Sequence, residues 1–237
     1  MPTDRNLPRA RTTTVRDAGL QAFFQRIYQN LALGLTFTGV VAWMVASSPA
    51  LLHFFFGNFI MILVVLFAPM FVISIAFSPR RIATMTSGQM AAAFYGISAI
   101  FGISFAIIFL AYSGESIARV FFITAGTFAG TSAIGYSSKR DLSGVGAFGM
   151  MGMWGIFLAF LVNMFMHSPM VMYVSSMIGV IACVCLIAWN TQMFKEMYNH
   201  AADRESNQKL AILAALNLYM SFINLFQFLL NLMGNRR

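Results

Sequence analysis

The sequence predicts an all-α, polytopic membrane protein with seven transmembrane helices, the last of them central. Three observations carry this. The 237 residues are 59% hydrophobic and 9% charged, with a mean hydropathy of +0.76, whereas a soluble domain is about 25% charged. The charges fall in clusters, separated by five long runs without Asp, Glu, Lys or Arg. The last of these runs carries a row of polar side chains that hydrocarbon would not tolerate facing outward. The composition excludes a disordered chain, a nucleic-acid module with a solvated surface and an ordinary cytosolic enzyme. No nucleic-acid partner is needed to explain the net charge of +8, which reads as basic anchoring of membrane loops.

A span needs about 20 mostly apolar residues. The run between Arg26 and Arg80 holds two, 27–46 and 55–77, broken near Ser47-Ser48-Pro49. The runs from Arg81 to Glu115 and from Arg119 to Lys139 hold one each, 89–112 and 118–136. Between Asp141 and Lys195 lie 147–166 and 170–190, parted at His167-Ser168-Pro169. The seventh span is 210–233. Backbone groups in lipid must bond within their own segment, which makes these helices. Long unbroken apolar runs also exclude an outer-membrane barrel. The polar stretch from Thr191 to Lys209 reads as the longest loop, capping or gating one face.

Basic residues set the orientation. Arg5, Arg9, Arg11, Arg16 and Arg26 precede the first span. Arg80-Arg81, Lys139-Arg140 and Lys195, Arg204 and Lys209 follow the second, fourth and sixth, while the alternate loops hold Arg119 alone. The N-terminus is therefore expected in the cytoplasm and the C-terminus outside, with Arg236-Arg237 in mild disagreement. The chain divides into a basic cytoplasmic segment, 1–26, and a transmembrane domain, 27–237. The first 26 residues have no apolar core before a cleavage site, so no secretory signal is expected.

Few residues offer chemistry. Cys183 and Cys185 are about 200° apart on a helix and cannot share a metal. His53 and His167 would share the outer face with Met164, Met166 and Met170, a weak case for a soft metal. No Gly-x-Ser-x-Gly run occurs and no acid or base lies within a span, so no enzyme and no cofactor are expected. The three lysines lie in loops, which excludes a retinal Schiff base. Asn217, Ser221, Asn224, Gln227 and Asn231 are spaced 4, 3, 3 and 4 and fall within about 120° of one another. They serve either interhelical hydrogen bonding, worth roughly 0.6 kcal/mol per bond, or the polar lining of an ion path. Either way the stripe is expected to look into the bundle. Asn190-Thr191-Gln192 reads as the C-capped end of the sixth span or as one side of a gate. Gly126 and Gly130, and Gly149, Gly152 and Gly155, are expected at close helix contacts.

The chain resembles the bacterial branch of the Bax inhibitor family (transmembrane Bax inhibitor motif) over about residues 16–237. The stretches that carry the resemblance are Gly114 to Phe121 (GESIARVF), Gly135 to Ser143 (GYSSKRDLS), Lys195-Glu196-Met197-Tyr198 and Leu218 to Phe226 (LYMSFINLF). The resemblance implies seven helices with the last surrounded by six, embedded in the bacterial inner membrane. It also implies a pH-sensitive calcium leak, protection from stress, and in bacterial relatives the restraint of an FtsH-type membrane protease. In the family's mechanism two aspartates share a proton, assisted by an arginine, because two buried carboxylates cannot both stay ionised cheaply. Here the matching positions are Asn190, in Ala188-Trp189-Asn190-Thr191-Gln192, and Ser221, in Leu218-Tyr219-Met220-Ser221-Phe222. The matching arginine is Arg81. Neither Asn nor Ser titrates between pH 5 and 8, and their oxygens bind Ca2+ weakly at best. Two functions follow: a calcium leak channel without the aspartate switch, or a non-conducting regulator that binds a membrane protease.

Overall fold

The structure, a computed structural model, describes residues 7–199 and 203–235. Arg5, His200, Arg236 and Arg237 lie outside them. Nine helices form among the described residues: α1 Leu7–Ser47, α2 Pro49–Phe56, α3 Phe59–Ala76, α4 Pro79–Thr84, α5 Ser87–Ala111, α6 Gly114–Ser137, α7 Ser143–Met166, α8 Pro169–Asn199 and α9 Arg204–Met233. Seven are long and apolar enough to cross a membrane; α2 and α4 are not. The chain is thus a polytopic membrane protein, as the charge-free runs require.

The breaks have local causes. Ser48 accepts a hydrogen bond from Leu51 N and Pro49 opens α2, a proline position that sacrifices no helical bond. Pro79 opens α4 in the same way. Thr86 and Gln89 form a reciprocal capping box at the start of α5. His167 closes α7 in the left-handed conformation, φ 51°.

Two boundaries differ from the sequence reading. α1 is one helix from Leu7, so position 26 falls inside it. α8 runs through to Asn199, so the expected loop of Thr191–Lys209 is mostly two helix ends. The extension is held by packing: Phe194 is buried, and Tyr198 stacks on Phe23 with centroids 4.9 Å apart. Asn190-Thr191-Gln192 therefore sits inside a helix and caps nothing.

α9 is the core. Two thirds of its spanning window (67%) is buried, against 11–33% for the other six. It packs on α1, α5, α6 and α8; α3 lies outside against α5, and α7 outside against α8. Tyr219, Leu218 and Leu225 of α9 are fully buried with Phe94, Ile97, Ile187 and Val120.

Small residues set some of these approaches. A Cβ on Gly135 would strike the Ala188 backbone of α8, and one on Gly149 would lie 3.0 Å from the Ala182 carbonyl. Gly152 also faces Ala182. Gly126, Gly130 and Gly155 face open space, so the expected contact at Gly126-x-x-x-Gly130 is absent. α6 buries Val120, Thr124, Phe128, Thr131 and Gly135 on its opposite side, and this row fixes its rotation.

Candidate functional site

The bundle has a basic end, where the turns before α5, between α6 and α7 and between α8 and α9 gather, and an opposite end, where α5 meets α6 and α9 terminates. Hydrogen bonds tie the basic end together. Gln192 accepts from Leu142 N at 2.8 Å and donates to the Arg140 carbonyl at 2.8 Å, clamping the α6–α7 turn to α8. Glu205 accepts from Ser87 N at 2.7 Å and Ser87 Oγ at 3.1 Å, joining the first turns of α5 and α9. Its carboxylate thus faces two helix N-termini, where negative charge is favoured.

Two buried hydroxyl chains lie deeper. Tyr28 OH, Ser132 Oγ and Thr191 Oγ1 link α1, α6 and α8, with spacings of 2.5 and 3.0 Å. Thr191 also donates to the Ile187 carbonyl. Nearer the opposite end, Tyr219 OH meets Thr38 Oγ1 at 2.7 Å, and Thr38 lies 2.9 Å from the Ser98 carbonyl. The second chain joins α9 to α1 and α5, and neither contains a charged group. Single-residue reading missed them, since lone Ser and Thr in apolar runs look like filler; the signal was their buried pairing across helices.

Asn190 and Ser221 are both buried, 5% and 9% exposed, on neighbouring helices α8 and α9. They are not bonded to each other: Ser221 Oγ donates to the Asn217 carbonyl of its own helix. They also differ in depth. Thr191, next to Asn190, meets Ser132 of α6, whereas Phe222, next to Ser221, packs on Phe128, one turn farther from the basic end. That is a step of about 6 Å along α6. Arg81 lies within α4 with an exposed side chain and no ion pair among the described residues.

The amide stripe is not sealed inside the bundle. Asn217 and Asn231 are exposed, and Asn224 and Gln227 are half-buried. At about 100° per residue, Phe222 points to α6, Tyr219 to α1 and α5, and Phe228 to Gly179 of α8. The stripe then faces the cleft between α5 and α8, which scarcely touch. Asn231 accepts from Tyr112 OH at 3.3 Å. Asn217, Asn224 and Gln227 make no side-chain hydrogen bond among the described residues. At the opposite end a cavity of about 470 Å3 lies between the start of α8 and the end of α9, lined by Tyr173, Asn231 and Asn235. The central helix is thus right, but its polar face lies on its least covered side.

The metal-type residues stay apart. No group of three or more His, Cys, Asp or Glu forms among the described residues. Cys183 and Cys185 are free, and His53 and His167 are exposed. The Glu115–Arg119 pair, 2.7 Å, is exposed at the opposite end.

Seven apolar helices, the last of them polar-faced and packed on by α1, α5, α6 and α8, define a polytopic membrane protein with a semi-open core. The sequence profile described as "Inhibitor of apoptosis-promoting Bax1" matches residues 20–237. A protein of Caulobacter vibrioides is 38% identical over 98% of this chain and 96% of its own. The inner membrane protein YbhL of Escherichia coli K12 is 37% identical over 97% of this chain and 98% of its own. A Rickettsia prowazekii protein is 38% identical over 93% and 92%. The chain belongs to the Bax inhibitor family.

Proposed function

We propose that this chain is a calcium leak pathway of the inner membrane that lacks a carboxylate pH switch and has no catalytic activity. The observation that carries the reading is the unbonded amide face of α9 in the α5–α8 cleft. Unpartnered amides at bilayer depth are costly against lipid; a hydrated cleft removes that cost. At the basic end of the bundle Gln192 ties α8 to the α6–α7 turn, and Glu205 ties α9 to α5. Asn190 and Ser221 put no proton-exchanging group beside it. Neutral amide and hydroxyl oxygens let an ion pass without holding it, since tight Ca2+ sites use several carboxylates. The name of YbhL supports the inner membrane, and the basic turns support a cytoplasmic N-terminus.

The test is calcium flux into liposomes at pH 6, 7 and 8, for the native chain and for Asn190→Asp/Ser221→Asp. The native flux is flat with pH, and Asn217→Leu/Asn224→Leu reduces it. The double aspartate variant gains a pH dependence. A steep titration of the native chain refutes the missing switch; absent flux in every variant refutes conduction.

One feature favours a regulator instead. α1 is helical from Leu7, eleven residues ahead of Ala18, where its spanning part begins, and that stretch holds Arg9, Arg11 and Arg16. Such a basic helix is a handle for an FtsH-type protease. Under this reading the protease co-purifies with the full chain and is lost on deleting residues 1–20.

A further inference from the structure

A second cleft lies on the other side of α9, between α1 and α6, with a volume of about 1710 Å3. The two helices meet near the basic end, where Tyr28 bonds Ser132 and Phe24 packs edge-on against Tyr136, 4.9 Å between centroids. Beyond that they part, and Phe222 of α9 forms part of the wall.

The lining changes character along its length. Gln21, Gln25 and Gln29 stand on one face of α1, exposed and without hydrogen bonds among the described residues. They cover about 12 Å at the basic end. From Leu31 to Val40, about 14 Å, the wall of α1 is apolar except for Thr36, whose hydroxyl is spent on the Ala32 carbonyl. Phe121, Ala125 and Phe128 line the facing stretch of α6. One leaflet of hydrocarbon is about 15 Å deep. An apolar spanning helix would lay its side chains against the glutamine row; a single-leaflet amphiphile matches both parts.

Charge chooses the headgroup. Lys195 Nζ lies 2.6 Å from the Tyr136 carbonyl and 4.8 Å from the Tyr136 ring centroid, against the residue that closes the basic end of the cleft. It is half-buried and has no carboxylate partner among the described residues. Lys139 and Arg140 follow at the end of α6, also without ion pairs among the described residues. A half-buried cation held only by a carbonyl and a ring is under-compensated.

We propose that the α1–α6 cleft binds one anionic phospholipid from the leaflet at the basic end. Its phosphate sits among Gln21, Gln25 and Lys195, and its chains run past Leu35 and Phe128 to Phe222. The lipid then touches the central helix directly, and bilayer composition acts on α9 through Phe222.

Native mass spectrometry of the delipidated full chain, titrated with phosphatidylglycerol or phosphatidylcholine, tests this. One phosphatidylglycerol per chain is expected, bound about 5-fold or more tightly than phosphatidylcholine. Lys195→Gln keeps a donor for the Tyr136 carbonyl and lowers that preference by about 5-fold. Ala129→Trp fills the cleft and abolishes the bound lipid, while Ile181→Trp, on an exposed face of α8 away from the cleft, leaves it. Equal binding of the two lipids, or unchanged binding in Ala129→Trp, overturns the proposal. Displacement by excess glycerol phosphate overturns the role of the acyl cleft.

Discussion

Replacing Gly135 by alanine separates packing from spacing. The new Cβ would meet the Ala188 carbonyl carbon and Cα at 2.9 Å, and the carbonyl oxygen closer still. Those are backbone atoms, so no side-chain rotation relieves the contact. α6 and α8 must move apart by about 0.5–1 Å, which forfeits a quarter to a half of each affected dispersion contact. Overpacking of this kind costs about 1–3 kcal/mol, and better helix propensity returns up to about 1 kcal/mol. Gly126→Ala and Gly130→Ala add a methyl to open space and keep only the propensity gain. The two sites thus differ in sign. Thermal unfolding in detergent micelles reads the difference, at roughly 2–4 °C per kcal/mol for a chain of this size. Gly135→Ala lowers the midpoint by several degrees; Gly126→Ala/Gly130→Ala leaves it unchanged or raises it. A Gly135→Ala protein as stable as the native chain, or an equal loss at Gly126 and Gly130, would refute the assigned rotation of α6.

Tyr219→Phe removes the hydroxyl that meets Thr38 and destabilises by about 0.6 kcal/mol, at most about 1.7 kcal/mol, seen in the same melting assay. Gln192→Ala frees the α6–α7 turn from both of its bonds; trypsin then cuts faster after Lys139 and Arg140, with little change in the global midpoint. Asp203 caps α9, and its carboxyl is held below the ordinary 3.8, first by Ser206 N–H and then by the Ser206 hydroxyl. A depressed folded value means that the cap is fully effective above the unfolded pKa and is lost as pH falls through the folded one. The hydrogen-exchange protection factors of the first turn of α9, taken relative to the intrinsic rate at each pH, therefore fall on acidification from pH 6 to pH 3, and Asp203→Asn weakens that dependence.

How much was legible in the sequence depended on what each residue's position decided. Uncharged runs revealed the spans because lipid forbids unpaired backbone and bare charge. The end of α8 was misread because Gln192, Lys195 and Glu196 are polar, and polarity marks the edge of the membrane, not the end of a helix. Phe194 and Tyr198, at helical spacing beyond Asn190, were the available signal. The glycine pairs gave spacing without rotational phase; Gly135 was the residue in register with Val120, Thr124 and Phe128. The amide stripe correctly marked α9 as the special helix. Which side of it stays uncovered depends on α5 and α8 failing to meet, and no local pattern encodes a gap between distant segments. Asn190 and Ser221 were placed by family resemblance, and the structure buries both without pairing them.

The burial of α9 also has a consequence for biosynthesis. The segment that fills the centre of the bundle follows the other six spans out of the ribosome. At about 5–20 residues per second, its thirty residues take a few seconds to emerge. Until then six helices stand in the bilayer around an unfilled centre lined by Phe94, Ile97 and Val120. A message broken, or a ribosome halted, before Arg204 yields a shell without its post. The fold closes only when α9 takes its place, and the unfilled centre gives a quality-control protease an unambiguous sign that the seventh span is missing.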